Sequence, residues 1–246
     1  MRVTHVDDVA LLCGLAGPGT GRRCVLDGSP PAYLVPNGTA DLYAVPRTLG
    51  GPAADRRFLA TVGPGAVVPG ATVLGAWQLM LLPSAEVLPL NVDRLRGVGY
   101  AALAEPHRTP VPVPRTGSVI VAALARGLDA TLAALADALR GGEPPAHSVA
   151  IAPGEIVSLS AGSAMTGAGG VVWLRVAGGH ARRNGDPAAV FGSGEPALLA
   201  GRDWITVNDP ATVEAVGTSD LLATGHLPAA LDAHAALTLR RIADRR

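Results

Sequence analysis

The chain contains no lysine: all twenty basic residues are arginine, and twenty acidic residues balance them. The arginines are scattered, with no basic run longer than a pair, so the phosphate-neutralising stripe that nucleic-acid binding requires is missing. Aromatic residues make up only 3% and cysteine occurs twice, at Cys13 and Cys24. Two cysteines this far apart cannot supply a four-cysteine zinc site or a Cys-x-x-Cys pair, and the expectation is two free thiols rather than a disulfide. The opening "MRVTHVDDVALLCGLAGPG" places acidic residues before a short apolar run, unlike a secretory signal. One stretch, "FLATVGPGAVVPGATVLGAWQLMLLPSA" from Phe58, lacks any charge, but Pro64, Pro69 and Pro83 interrupt it. A membrane helix would have to absorb those breakers, and two or three buried strands joined by tight turns fit better.

What the chain does have is glycine (31), proline (21) and 48% hydrophobic residues in 246. That length can bury one large core or two ordinary ones, and the frequent turn residues favour short strands over a helical bundle.

Tryptophan is rare enough to serve as a marker. "WQLMLLPSAEVLPLNVDRL" from Trp77 and "WITVNDPATVEAVGTSDLL" from Trp204 carry proline and aspartate at matching offsets, Pro83 and Asp93 against Pro210 and Asp220. Upstream, "YLVPNGTADLY" from Tyr33 parallels "LRVAGGHARRN" from Leu174, each an alternating run turned at a glycine, Gly38 or Gly179. Between hairpin and tryptophan each half carries a Gly-x-Gly, at Gly63-Pro64-Gly65 and Gly192-Ser193-Gly194. A strand-and-turn unit occurring twice predicts a mainly β chain of two tandem β-rolls of jelly-roll type. The expected division is a first roll over 1–115, a connecting helix over 116–143, and a second roll with a C-terminal helix over 144–246.

Two segments between and after the rolls change character. "HRTPVPVPR" should be extended and surface-lying. After it, Leu124, Leu128, Leu132, Leu135 and Leu139 recur at helical spacing, with Ser118 able to cap the start and Gly141-Gly142 the end. A final helix is predicted from about Pro228, with Leu231, Leu237 and Ile242 on its apolar face and arginines near its negative end. Asp93 and Asp220 each end a tryptophan segment and are read as caps of the next helix or turn, and the three tryptophans as core or groove residues on strands.

The segments "PAYLVPNGTADLYAVP", "RRFLATVGPGAVVPG", "VVWLRVAGGHAR" and "GRDWITVNDPATVEAVGTSDLL" together resemble the cyclic-nucleotide-binding-like fold. In their pairing they resemble the amino-terminal region of the ABC transporters of NHLM-type bacteriocin systems, which export ribosomally made, modified peptides. The similarity runs from about Arg22 to Leu227. It implies a cytoplasmic, non-enzymatic regulatory or peptide-recognition module. Its partners would be a parent exporter's transmembrane and ATPase domains or the cargo's leader peptide, and no cofactor is implied. Family members continue into membrane helices and an ATPase domain; no Gly-x-x-x-x-Gly-Lys-Ser/Thr loop is present here, nor could one be without lysine.

The resemblance also implies where a cyclic nucleotide would sit: a Gly-Glu turn at the head of a short helix, followed by an arginine that neutralises the phosphate. The first half, "GPGAVVPGATVLGAW", has neither acid nor arginine. The second, "FGSGEPALLAGRDW", offers Gly194, Glu195, Ala197 and Arg202, with Pro196 directly after the acid and the arginine about two residues early. A surface turn with an exposed Arg202 is the simpler reading, and sensing of a cyclic nucleotide or small anion by the second roll is the alternative function. A metal-holding cupin is the third class. The histidines stand at 5, 107, 147, 180, 226 and 234 with no His-x-His pair, and each reads as a solvated or capping side chain rather than a ligand. No Gly-x-Ser-x-Gly elbow is present, and the serines of "SLSAGSAM" lie in turn-like settings.

Overall fold

The computed structural model describes residues 5–28, 32–47, 56–70, 76–90, 116–138, 142–183, 190–192 and 196–244. The chain divides into two compact units, Met1–Thr72 with Gln78–Thr131, and Val73–Trp77 with Leu132–Arg246.

In the first unit, helix α1 (His5–Cys13) precedes seven strands: β1 (Cys24–Val25), β2 (Ala32–Leu34), β3 (Ala40–Pro46), β4 (Arg57–Val62), β5 (Val67–Pro69), β6 (Trp77–Pro83) and β7 (Leu88–Leu90). They form a four-stranded sheet in the order β1-β6-β3-β4 and a three-stranded sheet β5-β2-β7. The described part of the charge-free stretch is thus β4, β5 and β6, because Gly63, Pro64, Gly65, Pro69, Gly70 and Pro83 fall at strand ends and turns. Helix α2 (Thr116–Ala138) comes next, and its first part belongs to this unit.

The second unit contains β8 (Val149–Ile151), β9 (Ile156–Leu159), β10 (Ala164–Gly167), β11 (Val171–Ala177), β12 (Ala181–Arg183), β13 (Val190–Phe191), β14 (Pro196–Ala200), β15 (Trp204–Val207) and β16 (Ala211–Val216). Helices α3 (Thr218–Ala223) and α4 (Leu227–Asp244) end it. Its sheets run β13-β12-β15-β10-β8 and β14-β11-β16-β9. Without β8 and β9 this is the strand order of the first unit: β10-β15-β12-β13 repeats β1-β6-β3-β4, and β14-β11-β16 repeats β5-β2-β7. The expected mainly β chain with two tandem rolls is what the pairing shows, and Trp77 and Trp204 each open the same strand of their roll.

The repeat holds in backbone detail at the hairpin glycines. Gly38 and Gly179 have φ of +67° and +69°, the left-handed region that a side chain rarely adopts. The proline echo does not hold to the same degree. Pro83 is the last residue of β6, whereas Pro210 lies in the turn before β16. The register confirms the slip: Leu34 opposes Leu88 and the equivalent Arg175 opposes Glu214, so the first roll has one more residue between tryptophan and partner. Asp220 does cap, its Oδ2 accepting from Gly217 N–H at 3.0 Å in the first turn of α3. Asp93 lies outside the described residues, as does "HRTPVPVPR".

Alternation places one face of β3, β12 and β16 inward, whereas β2, β5 and most of β11 and β14 are buried on both faces. In the second roll Ile151, Leu159, Met165, Val172, Leu174, Val176, Ala181, Ala197, Leu199, Ile205, Val207, Ala211, Val213 and Ala215 form one apolar core. Along α2, Leu124, Leu128, Leu132 and Leu135 are buried as the helical spacing predicts; Leu139 and Gly141 lie outside the described residues. The helix begins at Thr116, so Ser118 stands within it rather than capping it. Its Val119–Ala138 stretch, mean hydropathy 1.8, is long and apolar enough to cross a membrane, but 56% of it is buried in the protein, as in a core helix. Gly127 makes that packing close: a Cβ there would meet Val67 Cγ2 at 2.6 Å and the Gly65 carbonyl oxygen at 2.7 Å. Nearby, Arg126 holds Asp8 of α1 through two hydrogen bonds of 2.8 and 2.7 Å.

Both cysteines are free thiols. Burial pushes the Cys24 thiol up, and burial together with Cys24 raises the Tyr33 hydroxyl to about 12, so neither is a reactive anion at neutral pH.

Candidate functional site

Only part of the turn singled out for anion binding lies among the described residues. Residues 193–195, and with them Gly194 and Glu195, lie outside the described residues. Ala197 sits on β14 with its side chain in the apolar core, paired across to Leu174. The segment from Pro196 to Ala200 is a strand rather than a short helix, so among the described residues no helix N-terminus aims N–H groups at an anion there. Only the turn Gly201-Arg202-Asp203 separates β14 from β15. Arg202 is 62% exposed and its guanidinium faces Glu143 at 4.0 Å. Ala197 and Arg202 therefore do not converge on one pocket.

A buried polar constellation lies elsewhere in the same unit. Arg183 ends β12 at the position corresponding to Leu42 of the first roll, since Ala181 matches Ala40 from the hairpin glycine onward. Strand alternation therefore turns it inward, and only 3% of it is exposed. Asp203, equally buried, precedes β15 on the same parity as core residue Ile205, and its Oδ2 accepts from Arg183 Nη2. Opposite them runs α4, presenting His234, Thr238 and Arg241 at helical spacing, all buried.

His234 lies edge-on to the Trp173 ring, centroids 6.2 Å apart, and Arg183 Nη1 stands 3.4 Å from its Nδ1. A guanidinium only donates, so Nδ1 accepts and the ring proton resides on Nε2. Burial first, then the Arg183 and Arg241 charges, hold the imidazole well below its usual pKa and keep it neutral. Trp173 itself is fully buried and donates from Nε1 to Thr218 Oγ1 at 3.0 Å. Three buried polar atoms of the cluster, Arg183 Nε, His234 Nε2 and Thr238 Oγ1, have no partner among the described residues.

His234 is thus the exception to the solvated-histidine reading. It is buried because α4 turns inward a wider face than predicted, with Ile242 buried as expected. Leu231 and Leu237 are only half-buried, while Leu227, Ala230, His234, Ala235, Thr238, Leu239, Arg241 and Ile242 turn inward. Among the other described histidines, His180 pairs with Asp209 Oδ2 at 3.3 Å on the surface, and His226 contacts Thr224 and Arg175. Among the described residues no group of three His, Cys, Asp or Glu side chains could hold a metal ion. The signal that could have found the cluster is in the repeat: aligning the hairpins puts an arginine where the first copy has a core leucine.

No family model matches the chain, and no curated protein does. Solved structures similar to it include the cAMP-bound PfPKA-R fragment (9% identity, covering 87% of this chain and 73% of that one, TM-score 0.31). The regulatory subunit of a cAMP-independent protein kinase A from Trypanosoma brucei is similar over 98% of this chain and 94% of that one, at 8% identity and TM-score 0.30. A CooA mutant from Carboxydothermus hydrogenoformans covers 37% of this chain at 12% identity and TM-score 0.27. Scores this low carry no weight for function, and the roll assignment stands on the strand pairing itself.

Proposed function

We propose that the chain is a non-catalytic regulatory or peptide-recognition module of a modified-peptide export ABC transporter. Two cyclic-nucleotide-binding-like rolls build it, and it works at the cytoplasmic face of the membrane through a parent transporter. The observation that carries this reading is the edge of the second roll's four-stranded sheet. There β9 pairs on one side with β16 and exposes Ile156 to 68%, the geometry that accepts an added strand in protein contact. The transporter setting rests on the sequence resemblance.

Reconstituting the parent exporter with and without residues 1–227 tests the proposal. The expected result is loss of peptide-stimulated ATP hydrolysis in the shortened protein; unchanged export and unchanged stimulation would overturn it. Titration of the 246-residue chain with cAMP and cGMP should give no saturable heat. A micromolar heat that vanishes in Arg202→Ala would replace this reading with ligand sensing by the second roll.

A further inference from the structure

We propose that the open edge of β9 takes up an extended peptide of another protein as an antiparallel strand, the peptide being a β-branched run that ends in lysine or arginine. This rests on the peptide-recognition reading above and names the partner's chemistry. Ladder geometry fixes which groups the edge offers. Ala215 N–H donates to the Glu155 carbonyl, so these two residues are a hydrogen-bonded pair, and alternation makes Val157–Val213 and Leu159–Ala211 the next two. The N–H and C=O groups of Ile156 and Ser158 therefore point away from β16, to the side where the described residues place no strand. Both residues are exposed, Ile156 to 68%. Antiparallel pairing lets each exchange two hydrogen bonds with the residue facing it.

The first roll treats the same edge differently. Its counterpart of β16 is β7, and beside β7 lies the segment Ala16–Thr20, bonded through Gly17 N–H to the Pro89 carbonyl and through Thr20 to Val87. That segment reads Ala-Gly-Pro-Gly-Thr, and its register slips between the bridges Ala16–Leu90 and Thr20–Val87. Proline, glycine and a slipped register blunt an edge against further pairing. β9 has none of the three: Ile156–Leu159 runs in continuous register and carries no charge.

The edge also states what fits it. A peptide residue opposite Ile156 packs best if aliphatic and β-branched, and one opposite Ser158 if threonine. The residue opposite Glu155 meets an exposed carboxylate, held at the mouth of the strand by Ala152 N–H at 2.8 Å, so a cation belongs there. A second copy of the chain fits less well. It offers the four residues of β9, about 13 Å of edge, where a stable dimer buries ~800 Å² per partner. From Ile156 to Ala161 it has no charge to set against Glu155.

Amide hydrogen exchange of the 246-residue protein, followed by NMR, tests this without any exporter, so its outcome is separate from that of the deletion experiment. The probe is a short capped peptide with Thr-Val-Val-Lys at its centre. At millimolar peptide, exchange at the Ile156 and Ser158 amides should slow by roughly tenfold, whereas Val157 and Leu159 are slow with or without it. A peptide with glutamate in place of that lysine should bind about threefold more weakly or worse, and Glu155→Arg should reverse the order of the two. Ile156→Pro removes an outward N–H alone and should abolish binding while Val157 and Leu159 stay protected. The Glu155→Arg reversal decides the matter even where the proline disturbs folding. Unchanged exchange at Ile156 and Ser158 would overturn the proposal, as would equal binding of the two peptides or binding retained in a folded Ile156→Pro. A concentration-dependent dimer that is lost in Ile156→Pro would overturn it in favour of a second copy.

Discussion

The two rolls share a strand order but close their ends with different chemistry. In the first, β3 brings Leu42 inward, fully buried; in the second, the matching position of β12 brings Arg183, equally enclosed and tied to Asp203. A leucine contributes its burial regardless of what its neighbours are. An arginine there is tolerable only because Asp203, His234 and the surface of α4 are placed around it, since an isolated buried charge costs several kcal/mol. The first roll's end is therefore robust and unspecific, whereas the second's is conditional on its terminal helix being docked.

The largest effect should come from breaking that condition halfway. Arg183→Leu copies the first roll but removes the guanidinium from which the buried Asp203 Oδ2 accepts, and unfolding in denaturant should show a loss of about 3–5 kcal/mol. Asp203→Ala should cost a similar amount. The double substitution Arg183→Leu/Asp203→Ala should recover most of the loss, because neither charge then remains; a double variant as unstable as the singles would refute the comparison.

Next in size is a test of the first roll's own tight point. Gly127→Ala puts a methyl within 2.7 Å of the Gly65 carbonyl, a backbone atom that cannot rotate away. A destabilisation of about 1–3 kcal/mol from overpacking is expected, in contrast to the gain that glycine-to-alanine gives in an open helix. An increase in melting temperature would show that the helix can lift from the turn.

Acid should separate the rolls as well. His234 is depressed in the folded protein by burial and by Arg183 and Arg241, while Asp203 reaches it only through Arg183 and Trp173 is uncharged. Below an unfolded-state value near 6.5 the unfolded chain binds the proton that the folded chain refuses, so stability is fully present above that pH and falls as pH drops. The slope is at most about 1.4 kcal/mol per pH unit. Stability measured from pH 7.5 to 4.5 should show this loss, and His234→Phe should flatten that part of it.

The smallest effect belongs to Arg126, whose side chain is half-exposed although Asp8 is nearly buried. Arg126→Ala should lose about 0.5–1 kcal/mol after solvent screening, and less in high salt. A loss as large as that of Arg183→Leu would mean that exposure does not separate the two ion pairs.

Much of this architecture could be read before any coordinates. Rare tryptophans, two hairpin glycines and the run of leucines from Leu124 set out a repeated roll and a core helix, because turn geometry and burial periodicity are local demands written into residue type. The proline and glycine breakers of the charge-free stretch turned it from a membrane span into three strands for the same reason. The matched prolines misled by a few residues, since offset along the chain ignores where a strand stops pairing.

The second roll's polar end could not be read that way. Its members come from β12, the turn before β15 and α4, which lie far apart along the chain. By itself the sequence determined the alternation that turns residue 183 inward and the helical spacing that puts 234, 238 and 241 on one face. Only the tertiary structure decided that these faces meet. The packing of α4, with Leu231 and Leu237 turned partly outward, is a global compromise of shape and burial, and the charges it encloses acquire their character from one another rather than from their neighbours in the chain.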